Sequence, residues 1–190
     1  MAHLGCDLIP ERRLKSIFPD REMVDFVLRE EHCTVLIECE STELAPLAKL
    51  QPDFELLRGA LSSSMVAAMK RIYSTASKAT SNPERLRLPS RRFLCVIVTY
   101  KDLYLGSGRS LWDEFLEERM SLHVTQLIDP NDLFVVSLED FESLVSVSQN
   151  SERSIGSQLC ELSKSNRTAA TSESVFSQQR RNPQRCGLTW

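Results

Sequence analysis

The chain has 190 residues, of which 42% are hydrophobic and 26% charged, and its formal net charge is -3. This composition is typical of a soluble globular domain that buries a core without disulfides or a structural metal. It excludes a general affinity for polyanions, and no apolar run approaches the ~18 residues of a membrane span. We expect a cytoplasmic protein without a secretory signal, whose six irregularly spaced cysteines are reduced thiols.

Two strands and a long helix are predicted first along the chain. The short apolar runs at 23–28 and 34–40 predict neighbouring strands that pair as a hairpin. Residues 54–77 show a 3.6-residue apolar period and predict a helix. A β-branched strand is predicted at 91–100.

The second half of this region continues the alternation of helix and strand. A helix is predicted at 111–120, a strand at 133–138, and a last short helix capped by Ser137. Apolar residues on both sides of the strands indicate that helices cover both faces of the sheet. The sequence therefore predicts an α/β fold with a mixed central β-sheet and flanking helices.

Composition changes after residue 147. Residues 148–190 contain six basic and three acidic residues and are rich in Ser, Gln, Asn and Thr. Such a segment cannot bury enough apolar surface to offset the entropy of ordering it. We predict one α/β domain at 1–147 and a disordered tail at 148–190, in which a short helix at 157–163 is only weakly indicated.

Three carboxylates fall on one face of the predicted hairpin. If its turn is centred on Glu31 and His32, paired residue numbers sum to 63, which places Asp25 opposite Glu38. Because directly opposed side chains lie ~4.5–5.5 Å apart, Asp25, Glu38 and Glu40 should converge.

A cation would relieve the repulsion among these acids. Like charges so close destabilise the fold or raise one another's pKa. Carboxylate oxygens suit Mg²⁺, or Mn²⁺, and such an ion can activate water and stabilise a phosphoryl transition state. The alternative is a patch of ordinary surface acids, although Val27 and Leu36 on the same predicted face argue against full exposure.

The acids also carry a family resemblance. Asp25, followed after twelve residues by Glu38-Cys39-Glu40 at the end of an apolar strand, resembles the core motif of the PD-(D/E)xK, or restriction-endonuclease-like, nucleases. The following helix and the strand around VIVTY fit that family's core order, so the resemblance covers roughly residues 20–140.

The resemblance implies a phosphodiesterase whose catalytic residues are Asp25, Glu38 and Glu40. Asp25 and Glu38 would bind Mg²⁺ together with the backbone carbonyl of Cys39. Glu40 stands where the family usually has a Lys that orients the attacking water. Some restriction endonucleases resemble this chain in having Glu there, and loss of the Lys also accompanies loss of activity.

Four basic residues are candidates for contact with DNA. Lys49 lies in the loop after the second predicted strand, and Arg71 flanks the apolar stripe of the long helix, whereas its neighbour Lys70 is predicted to point to solvent. Arg91 and Arg92 belong to a basic cluster before the next strand.

The favoured function is that of a divergent Mg²⁺-dependent nuclease-like protein that acts, or once acted, on DNA, with no membrane partner. One alternative is a non-catalytic nuclease-fold module for binding or assembly, or a truncated gene product. Another is an unrelated α/β ligand-binding domain.

Overall fold

The computed structural model describes residues 7–19, 22–41, 54–88, 92–101, 103, 108–120, 126–151, 153–165 and 167. Five strands form one sheet, in which they are neighbours in chain order. They are β1 (Asp7–Pro10), β2 (Phe26–Arg29), β3 (Thr34–Glu40), β4 (Phe93–Thr99) and β5 (Leu133–Ser137). β1, β2 and β3 are antiparallel neighbours, whereas β4 and β5 extend the sheet in parallel with β3. The predicted mixed sheet is confirmed.

Helices connect most of these strands. They are α1 (Glu11–Ile17), α2 (Phe54–Ser81), α3 (Pro83–Leu86), α4 (Gly108–Leu111), α5 (Leu138–Asn150) and α6 (155–165). α4 continues as a π-helical turn over Trp112–Leu116, and a 3-10 turn over Pro130–Asp132 precedes β5. Ser137 caps α5 as predicted, because its side chain accepts a hydrogen bond from the Asp140 amide. Within the described residues no helix is long and apolar enough to cross a membrane.

The hairpin of β2 and β3 has the predicted register. Phe26 pairs with Ile37 and Leu28 pairs with Val35, so paired residue numbers sum to 63. β2 begins three residues later than the predicted strand. The Val24 amide instead donates a hydrogen bond to Thr75 Oγ1 of α2, at 3.0 Å, so it does not pair with a neighbouring strand.

Two apolar clusters cover the two faces of the sheet. The larger one packs α1, α2 and the α4 region against the face that carries Val27 and Leu36. The smaller one packs α5 and α6 against the face that carries Phe26 and Ile37. All of β4 is buried, which confirms the expectation of a sheet covered on both faces.

The folded part extends past residue 147, so the predicted tail begins too early. α6 packs on the sheet through Ile155, Leu159 and Ser163, which are spaced by four residues and are all buried. A single stripe at helical spacing suffices to dock a helix, even where the average composition is polar. Residues 168–190, the rest of the predicted tail, lie outside the described residues.

Candidate functional site

The three predicted acids meet at the carboxyl end of β3. Glu38 and Glu40 belong to β3, and both lie on the face that α2 covers. Asp25 precedes β2, and its Oδ2 accepts a hydrogen bond from the Cys39 amide at 2.8 Å. This contact fixes Asp25 next to the residue between the two glutamates.

Arg71 of α2 joins the two glutamates. Its Nε donates to Glu38 Oε1 at 2.5 Å, and its Nη2 donates to Glu40 Oε1. The planar guanidinium presents donors in a fixed fork, which suits two carboxylates at once. The sequence placed Arg71 beside the apolar stripe as a phosphate contact. The structure places it against the acids, whereas Lys70 is exposed as predicted.

Glu38 is an unusual carboxylate because it is only 3% exposed. Its Oε2 atom is buried and has no hydrogen-bond partner among the described residues. Burial raises the pKa of Glu38 to about 7, and the pull of Arg71 only partly offsets this, while Asp25 raises the pKa further. Glu38 therefore resists ionisation more strongly than an ordinary exposed carboxyl group does.

The neighbouring groups respond to the same environment. Burial, and then the charge of Asp25, raise the pKa of Glu40 above its ordinary value against the pull of Arg71. Burial alone would lower the pKa of Arg71, but Glu38 and Glu40 outweigh it and the pKa is raised. Arg71 thus remains charged wherever the glutamates ionise.

The Cys39 side chain lies on the face of the sheet opposite Glu38 and Glu40, although it interacts with Asp25. It lines an apolar cavity of about 460 Å³ on the other side of the sheet, next to Ile37, Val98 and Phe141. Burial and the charge of Asp25 raise the pKa of its thiol to about 11. The family resemblance implies a role in metal binding for the backbone carbonyl of Cys39 and none for this thiol.

The donor set fits an open Mg²⁺ site better than a closed cage. The described residues contain no group of three His, Cys, Asp or Glu side chains arranged to hold a metal ion. Proteins usually bind Mg²⁺ through one or two carboxylates, with water and substrate phosphates as the other ligands. Asp25 and the unpartnered oxygen of Glu38 are carboxylate groups that can supply such ligands, and the three acids with Arg71 carry a formal charge of -2.

Of the other predicted basic residues, the structure describes Arg92, which does not join the acids. Arg92 lies at the opposite end of β3, where its carbonyl accepts a hydrogen bond from the Thr34 amide. Its guanidinium pairs with Asp132 at 3.0 Å and also contacts Ser163. Arg92 therefore links the sheet to α6, while Lys49 and Arg91 lie outside the described residues.

Sequence reasoning missed Thr75, which positions Arg71. Thr75 is fully buried. Its Oγ1 donates a hydrogen bond to the Arg71 carbonyl at 2.9 Å and accepts a hydrogen bond from the Val24 amide. It therefore ties the Arg71 turn of α2 to the start of β2. The signal available in the sequence was a polar residue on the apolar stripe, four positions after Arg71.

No protein-family model matches this chain, and no curated protein or solved structure shows significant similarity to it. The resemblance to PD-(D/E)xK nucleases stays a prediction.

Proposed function

We propose that the protein is a divergent Mg²⁺-dependent phosphodiesterase of the nuclease type that acts on DNA. The observation that carries this proposal is the free Oε2 atom of Glu38, which is buried beside Asp25 and Glu40. A buried polar atom left unpaired costs about 1–3 kcal/mol, and more when it is charged. A cation would satisfy this atom and offset the negative charge around it.

Each residue of the cluster has a role in this proposal. Asp25 and Glu38 would hold Mg²⁺ with the Cys39 carbonyl. When bound, the ion would polarise the phosphodiester and make a coordinated water more acidic. Glu40, whose side chain is 13% exposed, would accept a proton from the attacking water.

Arg71 supports the proposal by supplying the positive charge that the motif lacks at Glu40. Its guanidinium comes from the neighbouring helix and lies against both glutamates. Fixed donors near a phosphoryl group stabilise the charge that develops in the transition state. Because Arg71 is part of a buried network, this charge is held in place before substrate binds.

Plasmid nicking tests the proposal. The purified protein should convert supercoiled plasmid to open circles with Mg²⁺ or Mn²⁺, and Glu38→Gln should abolish this. Glu31→Gln is the matched control, because the side chain of Glu31 is 88% exposed in the hairpin turn. Equal nicking by wild type and Glu38→Gln would assign the activity to a contaminant and overturn the proposal.

One observation favours a second candidate, a non-catalytic module for binding or assembly. Arg71 already pairs with both glutamates, so part of their charge is compensated without a metal. In that case wild type should be inert and its melting temperature should not respond to Mg²⁺ or Mn²⁺. A metal response that requires Asp25 would argue against this candidate.

A further inference from the structure

Two cysteines meet where α6 docks on the hairpin. Cys33 directly precedes β3 and is 2% exposed. Cys160 lies on α6, is partly buried, and packs against the same apolar cluster. The Cys33 sulfur lies against Gly156, one helical turn before Cys160, and the Cys160 thiol is near enough to raise the pKa of Cys33, although 126 residues separate the two cysteines in the sequence.

The backbone of α6 explains how closely these groups approach. Gly156 lies one turn before Cys160, on the same side of the helix. A Cβ atom at Gly156 would overlap both the Cys33 sulfur and Glu30 Oε2. Glu30 Oε2 accepts hydrogen bonds from Ser154 Oγ at 2.5 Å and from the Gly156 amide at 2.9 Å, which hold the helix at this distance.

We propose that Cys33 and Cys160 are a reversible redox pair that forms a disulfide with a peroxide and reopens with a thiol reductant. The more accessible Cys160 thiolate attacks hydrogen peroxide, so that an S–O bond forms, the O–O bond breaks, and hydroxide leaves and is protonated to water. The Cys33 sulfur then attacks the Cys160 sulfenic acid, and the S–O bond breaks. The departing hydroxide takes up the Cys33 proton, so that both sulfurs are oxidised and one peroxide becomes two waters.

The surroundings of Cys33 set this order of events. Burial, and then the charge of Glu30, raise the pKa of Cys33 to about 12, so it is a poor first nucleophile. Glu30 Oε1 is buried and has no hydrogen-bond partner among the described residues. The charge of Glu30 therefore keeps Cys33 protonated until it attacks Cys160, when the departing hydroxide takes up the proton.

Peptide mapping tests the pair. The folded protein is treated with hydrogen peroxide, digested without reduction and analysed by mass spectrometry. The expected product is a peptide that links Cys33 to Cys160, lacks the two thiol hydrogens, and disappears after reduction. Oxidation should also raise the melting temperature, because a cross-link between distant segments restricts the unfolded chain.

Two variants separate this pair from other thiol chemistry. Cys160→Ser should remove both the linked peptide and the gain in melting temperature, whereas Cys39→Ser, which removes a thiol at the other end of β3, should retain both. Over-oxidised Cys160 beside a reduced Cys33, or Cys160 linked to another cysteine, would overturn the proposal. Because the map is made on wild type, it decides the question even if Cys160→Ser does not fold.

Discussion

At the residue scale, Glu38 is governed by the competition between burial and pairing. Arg71 contacts one of its oxygens, yet removing the carboxylate from water outweighs that attraction. Buried ion pairs commonly show this balance, because the cost of desolvating two charges rivals their Coulombic gain. The acid cluster therefore lowers the stability of the folded state, and strongly perturbed groups of this kind are common at functional sites.

The pH dependence of stability should report this competition. The pKa of Glu38 is about 7 in the folded protein and near 4.5 in the unfolded chain. The stability that protonated Glu38 gives the folded state is then fully present below about pH 4.5, and it is lost as the pH rises through about 7. At about pH 8 ionisation of Glu38 should cost roughly 3–4 kcal/mol of unfolding free energy, from about 1.4 kcal/mol per tenfold change in acidity.

Urea denaturation of wild type and Glu38→Gln measures this loss. Between about pH 5 and pH 8, wild type should lose more unfolding free energy than the variant, because the other titrating groups are common to both. Profiles that stay parallel would show that Glu38 has an ordinary pKa.

Metal binding should depend on Asp25. Mg²⁺ or Mn²⁺ should raise the melting temperature of wild type by ligand linkage and leave that of Asp25→Asn unchanged. The asparagine can still accept the Cys39 amide through its oxygen, so the apo variant should be as stable as wild type or more stable. Glu31→Gln should keep the response, and an equal response of Asp25→Asn would place the ions elsewhere.

Removal of Arg71 should destabilise the fold. Arg71→Met leaves Glu38 buried without its counterion, which we expect to cost roughly 2–4 kcal/mol, while Arg71→Lys should cost less. Urea melts at neutral pH measure the difference. If Mg²⁺ recovers part of the loss in Arg71→Met, a cation can replace the guanidinium charge; a stability equal to that of wild type would contradict the role given to Arg71.

At the element scale, local patterns predicted the hairpin and α2 well. The register of β2 and β3 was predicted by centring their turn on Glu31 and His32, and the structure has that register. The start of β2 was missed, since it depends on Thr75 of α2, a distant residue. β1 was also missed, because four residues ending in Pro10 carry too short a pattern.

In the candidate site, too, the contacts within the hairpin were predicted from the sequence, whereas the contact with the distant helix α2 was not. Glu38 and Glu40 share one face of β3, and the hairpin register brings Asp25, just before β2, close to them, so the sequence predicted their proximity. The periodicity of α2 predicted a helix, but it does not specify which face of the sheet the helix covers. The pairing of Arg71 with the glutamates depends on that choice and could not be read locally.

The docking of α6 provides a test with a matched control. Gly156→Ala should lower the unfolding free energy by roughly 1–3 kcal/mol, because the new methyl group overlaps the Cys33 sulfur and Glu30. Gly59→Ala in α2 should instead raise it by up to about 1 kcal/mol, since a Cβ there meets no atom within 4 Å. Urea melts of the two variants measure both changes, and a stabilised Gly156→Ala would contradict the close approach.

At the scale of the whole molecule, α6 is held at both ends by buried carboxyl groups. Glu30 binds its first turn, and near its other end Ser163 Oγ donates to Asp132 Oδ1 at 2.5 Å. Between these anchors Ile155 and Leu159 cover the smaller apolar cluster. The helix is therefore an integral layer of the domain.

Truncation should show where the folding unit ends. A chain that stops after residue 167 should melt close to the full-length protein, because it keeps every described contact of α6. A chain that stops after residue 151 should lose several kcal/mol, since burial of each large apolar side chain contributes about 1.5–3 kcal/mol. Circular dichroism during heating distinguishes the two, and equal melting of both shortened chains would contradict this account.

The proposed metal and redox sites occupy opposite ends of one strand. Cys33 precedes the first residue of β3, Glu40 is its last, and β3 pairs with β4 along all seven residues. Coupling between distant sites requires an element that can adopt two alternative arrangements. β3 is hydrogen-bonded to a strand on each side and has a single arrangement. The free energies of cation binding and of disulfide formation should therefore add without cooperativity, so that the oxidised protein retains the cation affinity of the reduced one.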